Sequence, residues 1–246
     1  MFSEKIINKN DIVPIYHQLK TLIKEQIEDN VWSVDEVIPS ERELSESFDI
    51  SRLTVRQAIN DLVSEGVLYR KRGIGTFVAK KKINQVLTKL SSFTSDMEMR
   101  GFKPGAKVLD KCVVPSSKKI ATIFNIEEGE KVAKLFRLRL ADDEPMALEK
   151  SFLPVEKVGP ILGESLENKS LYKELIEKCN LNLVRAIQTI EISYADKDEA
   201  ELLNIESGTP VLLIERTTFS DKDIPLEYVQ SLYRADRYKF SIEMKA

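Results

Sequence analysis

The chain has 246 residues, of which 37 are Lys or Arg, 40 are Asp or Glu, one is His and two are Cys, and 42% are hydrophobic. This length exceeds an average domain of about 100–150 residues, so we expect two domains with packed cores. The longest apolar run, Val211 to Ile214, is far shorter than the roughly 20 residues of a membrane span, and no signal-peptide pattern opens the chain. Two Cys and one His argue against zinc, disulfide or Ser-His-Asp chemistry. We therefore expect a cytoplasmic protein with no membrane partner, cofactor, metal or catalytic residue.

The first third of the chain predicts three helices. Apolar residues at helical spacing indicate a helix near 12–29, with Pro14 in its first turn. Ser40 opens a capping-box pattern, so a short second helix should begin there. A turn at 48–51 leads to a third helix near 52–64, whose exposed side carries Arg52, Thr54, Arg56, Gln57 and Asn60. Two short helices joined by a tight turn, the second with such a face, are typical of a helix-turn-helix DNA-binding motif.

A basic hairpin follows the third helix. Residues 67–70 and 76–78 predict two strands joined by a turn at 71–75. The segment 66–82 holds six basic and no acidic residues, although the whole chain has a net charge of −3. Glycines in the turn let a backbone approach a duplex closely, and cations contact its phosphates. A capping box or an Arg-bearing helix is by itself equally typical of a solvated surface, but this order of elements predicts a winged helix that binds DNA.

Four segments carry a family resemblance: 39–44, 51–58, 66–68 and 73–78. They resemble the winged-helix domain of the GntR family of bacterial repressors, and we place this domain at 8–79. The resemblance implies base contacts by Arg42, Arg52 and Gly73. It implies phosphate contacts by Ser40, Ser51, Thr54, Arg56 and Thr76, and the cation Arg72 of the wing joins this DNA-binding set. Asp49 stands where the family often has Gly; Asp tolerates the left-handed conformation, but its charge near phosphates would weaken DNA binding.

A linker at 80–91 should lead to a second domain at 92–246, which contains an internal repeat. Residues 121–142 align without gaps on 200–221, with eight identities at an offset of 79. Each copy predicts a helix, a Gly turn, a long strand and a returning strand. The predicted strands are 106–114, 131–141, 145–153, 183–194, 210–219, 225–234 and 237–244, and the predicted helices are 92–100, 116–124, 170–179 and 196–204. The second domain is therefore expected to be α+β, built on an antiparallel sheet.

Two arginines suggest an anion site in this domain. Arg137 and Arg139 lie two apart on a predicted strand and therefore share a face. If that face is buried, two guanidinium groups need an anion, and bidentate donors suit phosphate. Spacing alone favours the alternative, a solvated face on which both pair with acidic residues. Since the second copy has Thr218 in place of Arg139, the anion site would belong to the first copy only.

Three further residues are candidates for ligand contacts. Ser170 begins a predicted helix, and a helix N-terminus binds anions through its free N–H groups; the alternative is a simple cap without a ligand. Glu149 and Glu227 lie on the returning strands of the two copies. They either accept hydrogen bonds from sugar hydroxyl or amino groups, or lie on the surface.

A second resemblance covers the rest of the chain. Residues 136–142, 144–149, 210–217 and 233–238 resemble the effector domain of the HutC subfamily, the UTRA domain with a chorismate-lyase-like fold. The entrance segment 90–97, which includes Phe93, is most similar to the N-acetylglucosamine-responsive repressors of this subfamily. The resemblance implies that a sugar phosphate is held by Ser92, Arg137, Arg139, Ser170, Tyr172 and Tyr233. It also implies that Glu149 and Glu227 face the sugar ring.

Together the two resemblances imply a homodimeric transcriptional repressor that binds a palindromic double-stranded DNA operator. The expected effector is a small phosphorylated sugar, such as glucosamine-6-phosphate or N-acetylglucosamine-6-phosphate, which would reorient the linker from a seat near Ser92. One alternative is a response to trehalose-6-phosphate or a fructosamine-type sugar. Another is a chorismate-lyase-like enzyme, although the single His, His17, lies outside the second domain.

Overall fold

The structure, a computed structural model, describes residues 7–71, 73–80 and 82–244. The chain forms two compact units, one ending at Lys82 and the other beginning at Ile83. Within the described ranges, no helix is long and apolar enough to cross a membrane.

The first unit is a three-helix bundle with a two-stranded hairpin. Its elements are α1 (Ile15–Glu28), α2 (Glu41–Phe48), α3 (Arg52–Ser64), β1 (Leu68–Lys71) and β2 (Gly75–Val78). The apolar faces of the three helices meet in one core, which includes Leu19, Ile23, Leu44, Val55, Ile59 and Leu62. The helix-turn-helix and the hairpin predicted from the sequence are confirmed. Pro14 is the residue before α1 rather than part of its first turn, because its extended backbone lies outside the helix.

Local contacts mark the start of α2 and the turn between α2 and α3. The Ser40 side chain accepts a hydrogen bond from the Glu43 backbone N–H, and the Ser40 backbone N–H donates to the Glu43 carboxylate, which completes the predicted capping box. The turn between the helices places Asp49 in the left-handed region at φ 49°, as expected where an Asp replaces a Gly. Lys9 lies 2.5 Å from the Asp49 carboxylate, so the acidic charge that we expected to weaken DNA binding is already paired.

The second unit is an α+β domain built on a six-stranded antiparallel sheet. Its elements are β3 (Ile83–Val86), α4 (Phe93–Met99), β4 (Pro104–Pro115), α5 (Lys118–Phe124), β5 (Lys131–Ala141), β6 (Glu144–Pro154), α6 (Val155–Leu162), α7 (Leu171–Cys179), β7 (Arg185–Tyr194), α8 (Lys197–Leu203), β8 (Pro210–Phe219), β9 (Pro225–Arg234) and β10 (Tyr238–Ser241). The strand order in the sheet is β4-β5-β6-β9-β8-β7.

The internal repeat explains this strand order. The first copy supplies α5, β5 and β6 and the second supplies α8, β8 and β9, so the two copies meet where β6 pairs with β9. Asn125 and Asn204, which the offset of 79 makes equivalent, both end their helices in the left-handed conformation at φ 54°. The repeat in the sequence is therefore a repeat in the structure, and it places the returning strands side by side at the centre.

Three elements differ from the sequence prediction. Part of the predicted linker forms β3, because Ile83 and Gln85 are buried and the strand pairs in parallel with β10. The predicted strand at 237–244 is shorter and lies in that two-stranded pair rather than in the main sheet. Helix α6 was not predicted, since its Gly159 and internal Pro160 weaken the helical pattern.

Candidate functional site

The first unit presents the N-terminus of α3 to solvent. Ser51 caps this helix by accepting a hydrogen bond from the Thr54 backbone N–H at 3.1 Å, and its hydroxyl also lies 2.8 Å from that of Thr54. Arg52 is exposed beside this cap. A capped helix start flanked by hydroxyls and a cation is the arrangement by which recognition helices approach DNA phosphates and bases.

A single carboxylate organises other cations of this surface. Glu41 lies 2.9 Å from Arg56 Nε and 3.3 Å from Arg70 Nη2, so one side chain orients cations from α3 and β1. Arg42 keeps a side chain that is 67% exposed. The surface therefore carries cations that are oriented but not buried.

The predicted wing residues lie on the β1–β2 hairpin. Gly73 adopts φ 75°, a left-handed conformation that disfavours any side chain. Thr76 lies on β2 and is half-buried. Arg72, also predicted to contact DNA, lies outside the described residues. Contacts of all these residues with DNA stay predictions.

A polar pocket lies in the second unit, and Arg137 and Arg139 form its floor. Both side chains are nearly fully buried, so the predicted alternative of a solvated strand face is wrong. Arg137 Nη2 lies 2.9 Å from Glu149 Oε2, and Arg139 Nη1 lies 3.5 Å from the same oxygen. Two buried guanidinium groups therefore share one carboxylate, which leaves capacity for a second anion.

Both guanidinium groups also keep unused donors. Among the described residues, Nε of Arg137 and Nε of Arg139 are buried and have no hydrogen-bond partner. Burial lowers the pKa of Arg137 to about 10, because the charged form loses its hydration, although the nearby Glu149 opposes the change. Buried donors without acceptors are costly, and an anionic ligand would satisfy them.

Two helix starts form the rim of this pocket. Ser92 caps α4 and Ser170 caps α7, and the Ser170 hydroxyl lies 3.4 Å from that of Ser92. The Arg139 guanidinium is 4.5 Å from the centre of the Phe93 ring and donates to Thr94 Oγ1 at 3.0 Å. Hydroxyl and guanidinium groups therefore line one space, a donor set that suits phosphate.

The opposite side of the pocket carries the second predicted carboxylate. Glu227 is 2% exposed, so the alternative of a surface position is wrong for this residue, and Glu149 is also largely enclosed. Ser151 donates to Glu227 Oε1 at 2.9 Å, while Oε2 is buried without a partner. Burial raises the pKa of Glu227 above its usual range. This carboxylate can accept a hydrogen bond from a ligand hydroxyl or amino group.

The structure brings together all nine residues predicted for the effector: Ser92, Phe93, Arg137, Arg139, Glu149, Ser170, Tyr172, Glu227 and Tyr233. Tyr172 and Tyr233 enclose the pocket, and the Tyr172 hydroxyl lies 3.0 Å from Thr218 Oγ1. Their common position is a structural finding, whereas their role in binding a ligand stays a prediction.

Sequence reasoning missed Arg216, which also lines the pocket. It donates to Gln188 Oε1 at 2.7 Å and to the Ser91 carbonyl at 3.3 Å. The buried pair Arg137 and Arg139 lies in the first repeat copy, and Arg216 adds a third guanidinium group to the same pocket from the second copy; where an anion binds stays a prediction. The repeat alignment could have identified this residue, because Arg216 is the equivalent of Arg137. The second copy has Thr218 in place of Arg139 but keeps the arginine that corresponds to Arg137. Among the described residues, no cluster of His, Cys, Asp and Glu could hold a metal ion.

Comparisons with known proteins agree with this architecture. Residues 15–78 match the gntR family of bacterial regulatory proteins, and residues 99–239 match the UTRA domain. The chain is 44% identical to the HTH-type transcriptional repressor NagR of Bacillus subtilis (strain 168), over 95% of this chain and 96% of that protein.

Two further similarities are more distant. The chain is 30% identical to the probable fructoselysine utilization operon transcriptional repressor of Escherichia coli (strain K12), over 94% of this chain and 95% of that protein. The crystal structure of PhnF from Mycobacterium smegmatis matches with a TM-score of 0.66 and 29% identity, and covers 92% of this chain and 99% of that one. These relatives are transcriptional regulators rather than enzymes, which argues against the chorismate-lyase-like alternative. The chain belongs to the GntR family, as a NagR-like transcriptional repressor of the HutC type with a DNA-binding winged helix and a UTRA domain.

Proposed function

We propose that a small phosphorylated sugar, an amino-sugar phosphate such as glucosamine-6-phosphate or N-acetylglucosamine-6-phosphate, sets the affinity of this repressor for its operator. The observation that carries the proposal is the buried pair Arg137 and Arg139, which share one carboxylate and keep unpartnered Nε atoms. A phosphate would accept from both groups, and the neighbouring carboxylates Glu149 and Glu227 would accept from the sugar hydroxyl and amino groups.

The proposed DNA contacts follow the exposed surface of the first unit. Arg42 and Arg52 contact guanine edges in the major groove, with Gly73 at the wing. The phosphates are held by Ser40, Ser51, Thr54, Arg56, Arg72 and Thr76. Two chains form a homodimer, so that one winged helix occupies each half of a palindromic operator.

The link between ligand and operator runs through α4. Ser92 and Thr94 of the pocket rim lie at the start of this helix, and its buried Asp96 accepts a hydrogen bond from Gln85 of β3 at 2.7 Å. Arg100, at the end of α4, donates to the Asn84 carbonyl at 3.1 Å. Because β3 begins directly after Lys82, a ligand that moves α4 moves the segment that leaves the DNA-binding unit. Such coupling requires that the ligand bind two arrangements of this segment unequally.

A thermal-shift screen of the full chain tests the effector proposal. Its panel comprises glucosamine-6-phosphate, N-acetylglucosamine-6-phosphate, glucose-6-phosphate, trehalose-6-phosphate, a fructosamine-6-phosphate and inorganic phosphate. We expect an amino-sugar phosphate to raise Tm most, since a ligand at 100 times its Kd stabilises the native state by about 2.7 kcal/mol. The same compound should change operator affinity in a fluorescence-anisotropy titration. A largest shift with the trehalose or fructosamine phosphate would replace the proposed effector, and no shift with any phosphosugar would refute the class.

A further inference from the structure

Leu53 is a large apolar side chain on the exposed face of α3. It is 75% exposed, whereas Val55 and Ile59 on the other side of the helix are buried. Residues three, four and seven positions apart share a helix face, so Leu53 lies in one stripe with Arg56, Gln57 and Asn60. These three residues are polar and exposed. Leu53 is therefore the one apolar residue among these four, and it lies at the N-terminal end of the stripe.

Isolated exposed leucines are common on protein surfaces, so exposure alone does not indicate a function. The position of Leu53 in the helix is more informative. Leu53 is the second residue of α3, directly between Arg52 and Thr54. In a helix-turn-helix, the residues at the start of the recognition helix contact base edges in the major groove. A side chain at this position with no polar atom cannot use the hydrogen-bonding groups of the bases.

The major groove offers such a side chain one apolar partner, the C5-methyl group of thymine. We infer that Leu53 contacts a thymine methyl and thereby specifies thymine at one position of each operator half-site. The inference rests on DNA binding by the winged helix and is independent of the proposed sugar-phosphate effector. Burial of one methyl group against a leucine corresponds to about fourfold in affinity.

The test removes the methyl group without changing the base pairing. The probe is the duplex that the full-length wild-type chain enriches from a randomised pool, and each thymine in it is replaced in turn by deoxyuridine. We expect one thymine per half-site at which this replacement weakens wild-type binding by about fourfold in fluorescence anisotropy. Leu53→Ala should bind the thymine and uracil duplexes equally at that position, while Leu53→Met, which keeps an apolar reach, should retain part of the difference.

Ile74 provides the matched control, because it is 72% exposed on the wing and not on α3. Ile74→Ala should leave the ratio of the affinities for the thymine and uracil duplexes unchanged at that position, even if this variant binds both duplexes more weakly. The inference is overturned if no thymine is sensitive to loss of its methyl, or if Leu53→Ala remains as sensitive as the wild-type chain. Failure of the wild-type chain to enrich any duplex would instead contradict DNA binding itself. Circular dichroism of each variant confirms that the winged helix is folded.

Discussion

The two units of this repressor use arginine in opposite ways. In the winged helix, Arg42 and Arg56 have side chains that are 67% and 58% exposed, and their carboxylate neighbours lie at the surface. In the UTRA domain, Arg137 and Arg139 have side chains that are 4% and 3% exposed and share one enclosed carboxylate. Exposed cations keep their hydration until DNA arrives, whereas the buried pair has already lost it during folding.

This difference suits DNA and the proposed small-molecule effector. DNA is a long polyanion whose binding gains from counterion release, so exposed and hydrated cations suffice and binding is strongly salt-dependent. A small metabolite offers few contacts, and donors that are fixed and dehydrated in advance make each contact worth more. Substitutions in the two units should therefore have different consequences for stability.

Arg137→Ala has the largest expected effect. It should abolish the thermal shift caused by phosphosugars, because it removes a donor from the proposed phosphate site. Its cost in the free energy of unfolding should stay below the roughly 3–5 kcal/mol of an unpaired buried charge, since Arg139 Nη1 remains 3.5 Å from Glu149 Oε2. Differential scanning fluorimetry and urea unfolding measure the two effects.

Arg185→Ala is the matched control, since its side chain is 45% exposed, and it should change both quantities little. A phosphosugar shift of wild-type size in Arg137→Ala would contradict the assignment of this pocket. Arg137→Lys, which keeps the charge but loses the paired donors, serves if the alanine variant does not fold.

Arg52→Ala should act on DNA binding alone. Loss of a base-edge contact is worth about 1–3 kcal/mol, or roughly fivefold to 150-fold in operator affinity. Tm and the phosphosugar shift should stay unchanged, because this side chain is exposed. Anisotropy titrations at fixed salt measure the affinity, with Lys118→Ala, an exposed cation of the UTRA domain, as control. If Arg52→Ala also loses the ligand response, the division of labour between the units is wrong.

Gln85→Leu tests how the buried polar network connects the two ligands. It removes the hydrogen bond to Asp96, so the phosphosugar should still raise Tm while its effect on operator affinity is reduced. Allosteric coupling is typically worth about 1–3 kcal/mol, so the ligand's effect on operator affinity should fall by no more than this amount. The measurement compares operator affinity with and without saturating ligand. An unchanged ligand effect on the operator would exclude this route through α4 and β3.

Glu227→Gln should have the smallest effect of these substitutions. This effect is a change in how the free energy of unfolding depends on pH. Because burial raises the pKa of Glu227, the native state binds its proton more tightly than the unfolded state does. Stability is therefore lost as pH rises from about 4.5 to the raised native pKa. The glutamine variant should lack this loss and be more stable than the wild-type chain at pH 7.

Urea unfolding between pH 4 and pH 8 measures this difference. The control is Glu128→Gln, whose wild-type side chain is exposed and should follow the wild-type pH profile. If the free energy of unfolding changes with pH in the same way for the wild-type chain and for Glu227→Gln, burial does not raise the pKa of the Glu227 carboxyl group.

Most of the fold was predictable from local patterns. The helix predicted at 52–64 matches α3 residue for residue, because a serine cap, an apolar period and a following glycine all mark its ends. The strands of the repeat copies were predicted within a few residues for a similar reason, since two aligned copies support each other. Strand β3 was not predictable, because its partner β10 lies about 150 residues further along the chain.

The candidate site was predictable in composition but not in environment. Strand spacing placed Arg137 and Arg139 on one face, yet it could not tell a buried face from a solvated one, which depends on α4 and α7 packing over the sheet. The burial of Glu227 could not be predicted from the sequence for the same reason. Arg216 was predictable from the repeat alignment as the equivalent of Arg137, although Thr218 interrupts the arginine pair in the second copy.

The pairing of β3 with β10 has a practical consequence. Ile83 lies opposite Tyr238, and Ser241 is three residues further along the same strand. At about 3.3 Å per residue, the first residue of the UTRA unit and the end of its last strand are separated by roughly 10 Å along the strand direction. A unit with such adjacent ends can be grafted into a surface loop of another protein through short joints. Inserted into a fluorescent protein, it would allow binding of the proposed effector to be tested by fluorescence without any DNA.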